Sequence, residues 1–408
     1  MNPQQLLHWL YQQGATVELQ DGDLLVDIAD ELAESVFTDD VLANLRQHKS
    51  AMIGLLQSLA VPAAIAPMAH DWPASYEIAA SLAQERMLFM EELAGNGSYY
   101  NIPVAYRIEG ELDQAALQHA LNHLVACHDV LRTVYAVKDS QYLQQVHVPA
   151  ALPLHRIDLA AGQAEPELAR VLQDEANYRF DLKAEWPIRA TLITLAPASH
   201  VLSLNIHHIA ADGFSARRII ADLGRAYAAK LAGAFGDGEA GQTRRGIQYA
   251  DYVRWQQEWL GSQRYQETRR YWQQQLAGAP QLHSLITDFT RPNVQTVAGA
   301  TYSLNAPATL FAAVTAQARV SQTTPFVVLQ AGFAALLARY SGETDIVFGT
   351  AAANRHPAEF ADAVGLFVNT LVLRHQVADD ASFASLLQQV RSVSDGAFRH
   401  QQLPFDAL

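Results

Sequence analysis

The sequence predicts an α/β protein: a small α-β-β-α unit over residues 1–60, then two lobes of mixed helices and strands over 76–240 and 241–408. Three observations predict it. The chain has 408 residues, and at roughly 150 residues per domain that is two to three domains. From residue 76 on, helical and strand-like hydrophobic periods are interspersed. Two stretches of weak periodicity, 61–75 and 232–246, separate the parts.

In the first unit, Leu6, Leu7, Trp9 and Leu10 have helical spacing, and Gly14 is placed to end that helix. Thr16 to Gln20 and Leu24 to Ile28 read as strands, with Asp21-Gly22 as the hairpin turn. Thr38 is a good N-cap for a longer helix, whose apolar stripe is Val41, Leu42, Leu45, Met52, Leu55, Leu56 and Leu59. Residues 61–75 contain three prolines and read as a linker. Beyond it, Tyr100 to Ile108, Ile188 to Leu195 and Val201 to His208 read as strands. Leu117, Ala120, Leu121, Leu124 and Val125 mark one amphipathic helix, and Ile219, Ile220, Leu223 and Tyr227 another. After the glycine-rich 232–246 come a helical stretch (249–276), a helix near 325–340, and strands at 345–350 and 366–377. No short-period repeat is visible, but the two halves of 76–408 match in length and element content.

Composition narrows the function. Lys plus Arg is 28 and Asp plus Glu is 42, a formal charge of −14. Nucleic acid and anionic membranes are therefore not expected partners. The first 60 residues hold two basic and nine acidic residues, 2 − 9 = −7, half of the total charge. Apolar runs such as Phe326 to Ala338 fall short of the ~20 residues that a membrane span needs. The opening MNPQQLLHW has no basic region before an apolar stretch, so no secretion signal is expected. Cys127 is the only cysteine, which excludes an internal disulfide. The expectation is a soluble cytoplasmic protein.

The sharpest local feature is HHIAADG, residues 207–213, between a strand and a helix. On an extended strand His208 shares a face with Leu202, Leu204 and Ile206, and His207 shares the other with Ser203 and Asn205. His208 is thus expected to point inward. Asp212 and Gly213 fall at the turn into the helix, near its positive end. Taken alone, the motif is equally a pair of packed histidines and a helix cap. A metal site on His207, His208 and Asp212 is disfavoured, because adjacent strand residues do not converge on one ion.

Five further segments, in order along the chain, give the motif a context: SLAQERMLFM (81–90), CHDVLRTVY (127–135), YADYVRWQ (249–256), VGLFVNTLVLR (364–374) and HQQLPFDAL (400–408). With NIHHIAADGFS (205–215), they make the chain resemble the condensation domain of nonribosomal peptide synthetases from about residue 78 to the end. Cys127 and Asp129 depart from the family's Arg-His-Glu-x-Leu-Arg-Thr segment. The first 60 residues, above all TDDVLANLRQHKSAMIGLL, resemble the helix-hairpin-helix (TubC-like) docking domain that binds the C-terminal tail of a preceding subunit. LLVDIADELAE is acidic where related units often carry arginine.

The resemblance implies a two-lobed, chloramphenicol-acetyltransferase-like pseudodimer with a tunnel between the lobes. It implies amide formation between a donor acyl or peptidyl thioester on an upstream peptidyl carrier protein and the α-amine of an acceptor on a downstream one. Both substrates would ride on 4'-phosphopantetheine arms, with no directly bound cofactor and no metal. His208 is then the candidate base or positioner of the amine, and Gly213 a backbone donor to the oxyanion or simply a turn residue. His207 is expected to be structural, Asp212 to pair with an arginine such as Arg291, and Asn369 to orient strands near the lobe interface. Arg86 and Arg132 are assigned to packing. Leu24, Leu25, Val26, Asp27 and Ile28 form the expected docking edge. The motifs look most like the variant that joins two L-configured residues. The family continues past HQQLPFDAL, so the second lobe is expected to be C-terminally incomplete, with an adenylation-carrier module downstream. A coenzyme A-dependent acyltransferase and a silent scaffold are the competing readings.

Overall fold

The computed structural model describes residues 6, 10, 16–20, 23–27, 37–59, 75–94, 97–159, 164–234, 246–282, 284–290 and 299–408. The chain divides into two compact units, Met1–Ile65 and Ala66–Leu408.

In the first unit β1 (Thr16–Gln20) pairs antiparallel with β2 (Asp23–Asp27), Thr16 opposite Asp27 and Gln20 opposite Asp23. The second strand thus begins one residue earlier than its periodicity predicts, and Ile28 and the Asp21-Gly22 turn lie outside the described residues. Helix α1 (Asp39–Leu59) follows, the Thr38 carbonyl accepting the amide of Leu42 at 2.9 Å. Leu6, Leu10, Val17, Val41, Leu45 and Met52 form the core, with Leu24, Val26 and Leu42 packed against it. Alternation along β2 therefore turns Leu24 and Val26 inward, while Asp23 and Leu25 are exposed.

In the second unit β3 (Tyr76–Ala79), β6 (Gln141–Val146) and β5 (Thr133–Lys138) form one sheet, in the order β3-β6-β5. A four-stranded sheet runs in the order β4 (Asn101–Glu109), β9 (Ser199–His207), β8 (Ile188–Ala196), β7 (Leu154–Asp158). Only the β7–β8 pairing in that sheet is parallel. Helix α2 is Leu82–Ala94, α3 Gln114–Cys127, α4 Ala164–Ala176 and α5 Gly213–Leu231. Helix α3 buries the predicted stripe Leu117, Ala120, Leu121, Leu124 and Val125 and packs on α5.

The second half begins with α6 (Tyr249–Leu260) and α7 (Gln263–Gln275). Helices α8 (Ala308–Val320) and α9 (Pro325–Ser341) precede β10 (Asp345–Ala352), which pairs antiparallel with β11 (Asn369–Gln376) before α10 (Phe383–Arg399). Ala318, Val327, Val328, Ala331, Leu386, Leu387 and Val390 form a core among α8, α9 and α10. The opposite side of α9, with Phe326, Leu329, Phe333, Leu336 and Tyr340, is exposed. No single described helix is long and apolar enough to cross a membrane.

One expectation about β9 is corrected. Its ladder neighbours are β4 and β8, and every residue from His200 to His207 is buried. Both faces are covered, so alternation does not separate an inward from an outward side. The strand ends at His207, and His208 stands in the turn beyond it.

Candidate active site

The two histidines differ in what holds them. His207 is 1% exposed. Its Nδ1 accepts the amide of Ile209 at 3.2 Å. That acceptor role puts the proton on Nε2, which faces the buried Glu91 carboxylate at 3.4 Å. Tyr100 and Phe180 meet the ring edge to face. Both nitrogens of His207 are thereby engaged in holding the strand end.

His208 is half-buried. Its backbone amide donates to the Tyr100 carbonyl at 2.7 Å, which fixes the main chain. Its ring makes no hydrogen bond to a described residue, and Nδ1 is buried without one. Of the pair, only His208 has its imidazole uncommitted. Among the described residues no three metal-ligating side chains converge.

Asp212 caps α5, its Oδ1 accepting the amide of Ser215 at 2.8 Å. The same oxygen accepts Arg355 Nη2 at 2.9 Å, and Oδ2 accepts the amide of Phe367 at 3.2 Å. The carboxylate is 1% exposed, and a buried carboxylate needs such partners. Arg291, the expected partner, lies outside the described residues. Arg355 also donates to Ser215 Oγ at 2.8 Å and to the carbonyl of Phe360 at 3.1 Å, and lies over the Phe367 ring. Ser215 Oγ in turn donates to the Gly365 carbonyl at 2.8 Å and accepts the Gly365 amide at 3.0 Å. The start of α5 is thus latched to the 355–367 segment of the second half.

Gly213 opens α5 with an ordinary backbone conformation, and a Cβ there would meet nothing within 4 Å. The turn itself does not require glycine.

The remaining motifs frame the site. Gln84 Nε2 donates to Tyr135 Oη at 3.0 Å and to the Ile209 carbonyl at 3.3 Å. Ser81 Oγ and Tyr249 Oη lie 2.8 Å apart, and Tyr249 donates to the Leu366 carbonyl at 2.8 Å. Burial holds the hydroxyls of Tyr135 and Tyr249 well above the usual phenol range. SLAQ, HHIAADG, YADY and VGLFV therefore meet in one hydrogen-bonded girdle between the halves. Asn369 Nδ2 donates to the carbonyls of Gln401 and Leu403 at 2.8 and 2.7 Å, and Oδ1 accepts the amide of Phe405 at 3.1 Å. Arg132, fully buried, binds Asp129 and the His147 carbonyl, and burial lowers its pKa to about 10. Arg86 pairs with Asp406 at 3.3 Å. Sequence reading missed Arg355, Ser215 and Glu91. The signal for Arg355 was a lone arginine among small residues just past a strand.

Comparison with known proteins agrees with this frame. Residues 74–408 match the family model described as the condensation domain. A linear gramicidin synthase from Brevibacillus parabrevis is 39% identical over 332 residues, 80% of this chain and 6% of that protein. A dimodular nonribosomal peptide synthase of Bacillus subtilis is 38% identical over 339 residues, 81% of this chain and 14% of that protein. The chain thus spans a small fraction of these relatives' lengths. Among solved structures, the X-domain from teicoplanin biosynthesis, in complex with OxyB, matches with a TM-score of 0.75 at 27% identity, covering 85% of this chain and 75% of that one. The first condensation domain of the CDA synthetase shares the fold, with a TM-score of 0.68 at 24% identity, covering 82% of this chain and 77% of that one. The mixed α/β unit with its two lobes is a chloramphenicol-acetyltransferase-like pseudodimer, and this chain belongs to the condensation-domain family of the nonribosomal peptide synthetases.

Proposed function

We propose that the chain forms an amide between a donor acyl or peptidyl thioester on an upstream carrier protein and the α-amine of an acceptor aminoacyl thioester on a downstream one. The observation that carries this reading is the contrast between His207, engaged at both nitrogens, and His208, whose ring has no described hydrogen-bond partner. An α-amino group titrates at about 7.7 to 8.0 in simple peptides, so much of it is already neutral at cellular pH. The reaction then needs two tethered substrates held together and a place for the N–H proton. His208 fills that role, orienting the amine and receiving its proton as the C–N bond forms and the thiol leaves. A base of the triad type has its second nitrogen oriented by a carboxylate. Nδ1 of His208 has no described partner, which favours positioning over strong base catalysis. The Gly213 amide, at the positive end of α5, is the candidate donor to the oxyanion. Asp212 and Arg355 hold this turn, Asn369 holds the C-terminal motif against β11, and none of the three performs chemistry.

The sub-class is the L-donor, L-acceptor variant, the substrates arrive on phosphopantetheine, and the setting is cytoplasmic. Residues 1–60 act as the docking domain and take the preceding subunit's C-terminal tail by strand addition at β2, whose outer edge has no ladder partner among the described residues.

The test is a condensation assay with carrier-loaded substrates, followed by mass spectrometry. His208→Ala is expected to abolish dipeptide formation with the fold intact, whereas His207→Ala lowers soluble yield more than intrinsic activity. Near-wild-type turnover by His208→Ala would sink the assignment. Consumption of coenzyme A-bound donor in place of carrier-bound donor would convert the reading to a free-standing acyltransferase. A second reading, a silent domain that only gathers proteins, draws on the likeness to the X-domain solved in complex with OxyB. It requires that wild type and His208→Ala be equally inactive.

A further inference from the structure

Glu91 is an acid that the packing of α2 does not require, and its place beside HHIAADG gives it a task. It lies on α2 and is 6% exposed. Its neighbour Glu92 faces solvent and pairs there with Lys183. Among the described residues, Glu91 has no lysine or arginine partner, and its one hydrogen-bond partner is His207 Nε2 at 3.4 Å. Burying a carboxylate on so little is costly, and an apolar side chain of similar volume often serves stability as well or better. What an apolar side chain could not do is accept the Nε2 proton of His207.

That proton decides what the other ring nitrogen can do. With Nε2 protonated, Nδ1 is a bare acceptor, and it takes the Ile209 amide at 3.2 Å. In the other tautomer an Nδ1–H would face the Ile209 N–H, and the bond could not form. Between His207 and Ile209 stands His208. Its amide is tied to the Tyr100 carbonyl at 2.7 Å, and the Ile209 carbonyl accepts Gln84 Nε2 at 3.3 Å. The turn closes with the amides of Ala210 and Ala211 on the carbonyls of His207 and His208, at 3.0 and 3.3 Å. The main chain is thus pinned on both sides of His208, and the pin on its C-terminal side includes His207 Nδ1. The order is carboxylate, imidazole, backbone amide. It follows the triad pattern in which a carboxylate sets a histidine's tautomer, except that the histidine here orients a turn.

We infer that Glu91 is a positioning residue for His208. Its carboxylate fixes the tautomer of His207, and His207 in that tautomer fixes the turn that carries the His208 ring. This rests on the proposed role of His208 and deepens it.

The experiment compares Glu91→Gln and Glu91→Leu with wild type in the 408-residue chain. The amide oxygen of Gln can still accept Nε2–H, whereas Leu fills the space without an acceptor. Neither change alters the Tyr100 and Phe180 rings against which His207 packs. Ring-nitrogen NMR shifts of His207 are identified by their loss in His207→Ala. They are expected to show a protonated Nε2 and a bare Nδ1 in wild type and Glu91→Gln, and an averaged pair in Glu91→Leu. In the carrier-loaded condensation assay, Glu91→Leu is expected to lower kcat on the order of tenfold to a hundredfold, the scale of a small misplacement of reacting groups. KM and the urea midpoint should change little, and Glu91→Gln should recover most of the rate. A protonated Nδ1 in wild type overturns the inference. So does a Glu91→Leu rate per folded molecule equal to wild type. A loss in Glu91→Gln as deep as in Glu91→Leu overturns it too, by making the charge rather than the accepted proton the cause. In each of these cases an inactive His208→Ala leaves the condensation reading standing without Glu91. Near-wild-type turnover by His208→Ala removes the reading and the inference together.

Discussion

Asn101 and Asn369 stand at the first residue of β4 and of β11, one in each lobe, and they are bonded alike. Asn101 Nδ2 donates to the carbonyls of Ala176 and Tyr178 at 2.8 and 2.7 Å, at the end of α4 and just beyond it. Asn369 Nδ2 donates to those of Gln401 and Leu403 at 2.8 and 2.7 Å, just beyond α10. In both lobes the chain two residues on reads Phe-Asp: Phe180-Asp181 and Phe405-Asp406. The ladders then set the lobes apart. Asn101 is opposite His207, whereas Asn369 is opposite Ala352. Where the first lobe ends its strand at His207 and turns at His208, the second ends at Ala352 and supplies Arg355 three residues later. The repeated frame is structural; the proposed catalytic motif lies in one lobe, and the other is latched to it through Arg355 and Asp212.

The largest effect is expected at that latch. Gly365 brackets Ser215 Oγ with its amide and carbonyl, and a Cβ on it would overlap the ring of Tyr249. Tyr249 is fully buried and bonded to Ser81 and Leu366, so it has nowhere to swing. Gly365→Ala should therefore cost about 1–3 kcal/mol or more through overpacking, read as a lower urea midpoint and a loss of condensation activity. An unchanged midpoint would mean that the lobes are not held together through this contact.

The next effect separates the two asparagines. Asn369 uses all of its polar atoms, Oδ1 accepting the amides of Thr370 and Phe405 at 2.9 and 3.1 Å. The Oδ1 of Asn101 is buried with no partner among the described residues. Truncation to alanine removes two donors in each case and an acceptor only in Asn369→Ala. Each such hydrogen bond is worth about 0.5–1.5 kcal/mol net, so Asn369→Ala, which loses two more of them, is expected to be the more damaging. Parallel urea titrations of both variants check the order, and a larger loss in Asn101→Ala would refute a ranking by bonds made.

Much of this architecture was legible in the residues, and its failures have physical causes. Amphipathic periods placed α3 and α5, because each buries one stripe that local spacing records. Alternation misled at β9, because a central strand covered on both faces has no polar side to mark. The motif HHIAADG located the site, yet Arg355 escaped notice, because a partner 143 residues away leaves no local pattern. The two halves matched in length and element content, but the residues that mark the repeat escaped notice for a related reason. Its markers are one asparagine and a Phe-Asp pair, too sparse to register as periodicity.

A pH effect is expected in the second lobe. His375, buried in β11, faces Gln330 Nε2 at 3.1 Å, and Ser394 Oγ donates to Gln330 Oε1 at 2.7 Å. The amide therefore presents a donor, and His375 Nε2 must be the unprotonated acceptor. Burial lowers the pKa of His375 from 6.5 to about 4. Between these values the unfolded chain binds a proton that the folded chain does not, so stability falls as pH drops from 6.5 toward 4 and is level above 6.5. On β4 the residue six beyond Asn101 is Arg107, in an exposed pair with Glu165, so His375 has no counterpart at that position of the first lobe. Urea midpoints of wild type should drop through that window relative to His375→Leu, whose neutral side chain cannot titrate. Parallel profiles would mean that other groups set the acid response.

The smallest effect on stability is expected at Gly213, and its value lies in that smallness. Glycine at a strand-to-helix turn ordinarily signals a left-handed backbone, in which case any substitution is strained and activity data cannot be interpreted. Here the conformation is ordinary and the space for a Cβ is empty to 4 Å. Alanine is also the better residue at the start of a helix, since it restricts the unfolded chain. Gly213→Ala should thus leave the urea midpoint unchanged or raise stability by about 0.4–1 kcal/mol. Under the proposed mechanism the empty space is where the thioester carbonyl approaches the Gly213 amide, and the added methyl should lower amide formation while the fold is untouched. The comparison in the second lobe is Gly349, where a Cβ would meet the Thr370 methyl at 3.2 Å, a crowding inside the ladder with no chemistry beside it. Gly349→Ala is expected to change stability and spare the rate per folded molecule, the reverse of Gly213→Ala. Full activity in Gly213→Ala would reduce Gly213 to a turn residue and leave His208 as the only proposed catalytic group in the motif.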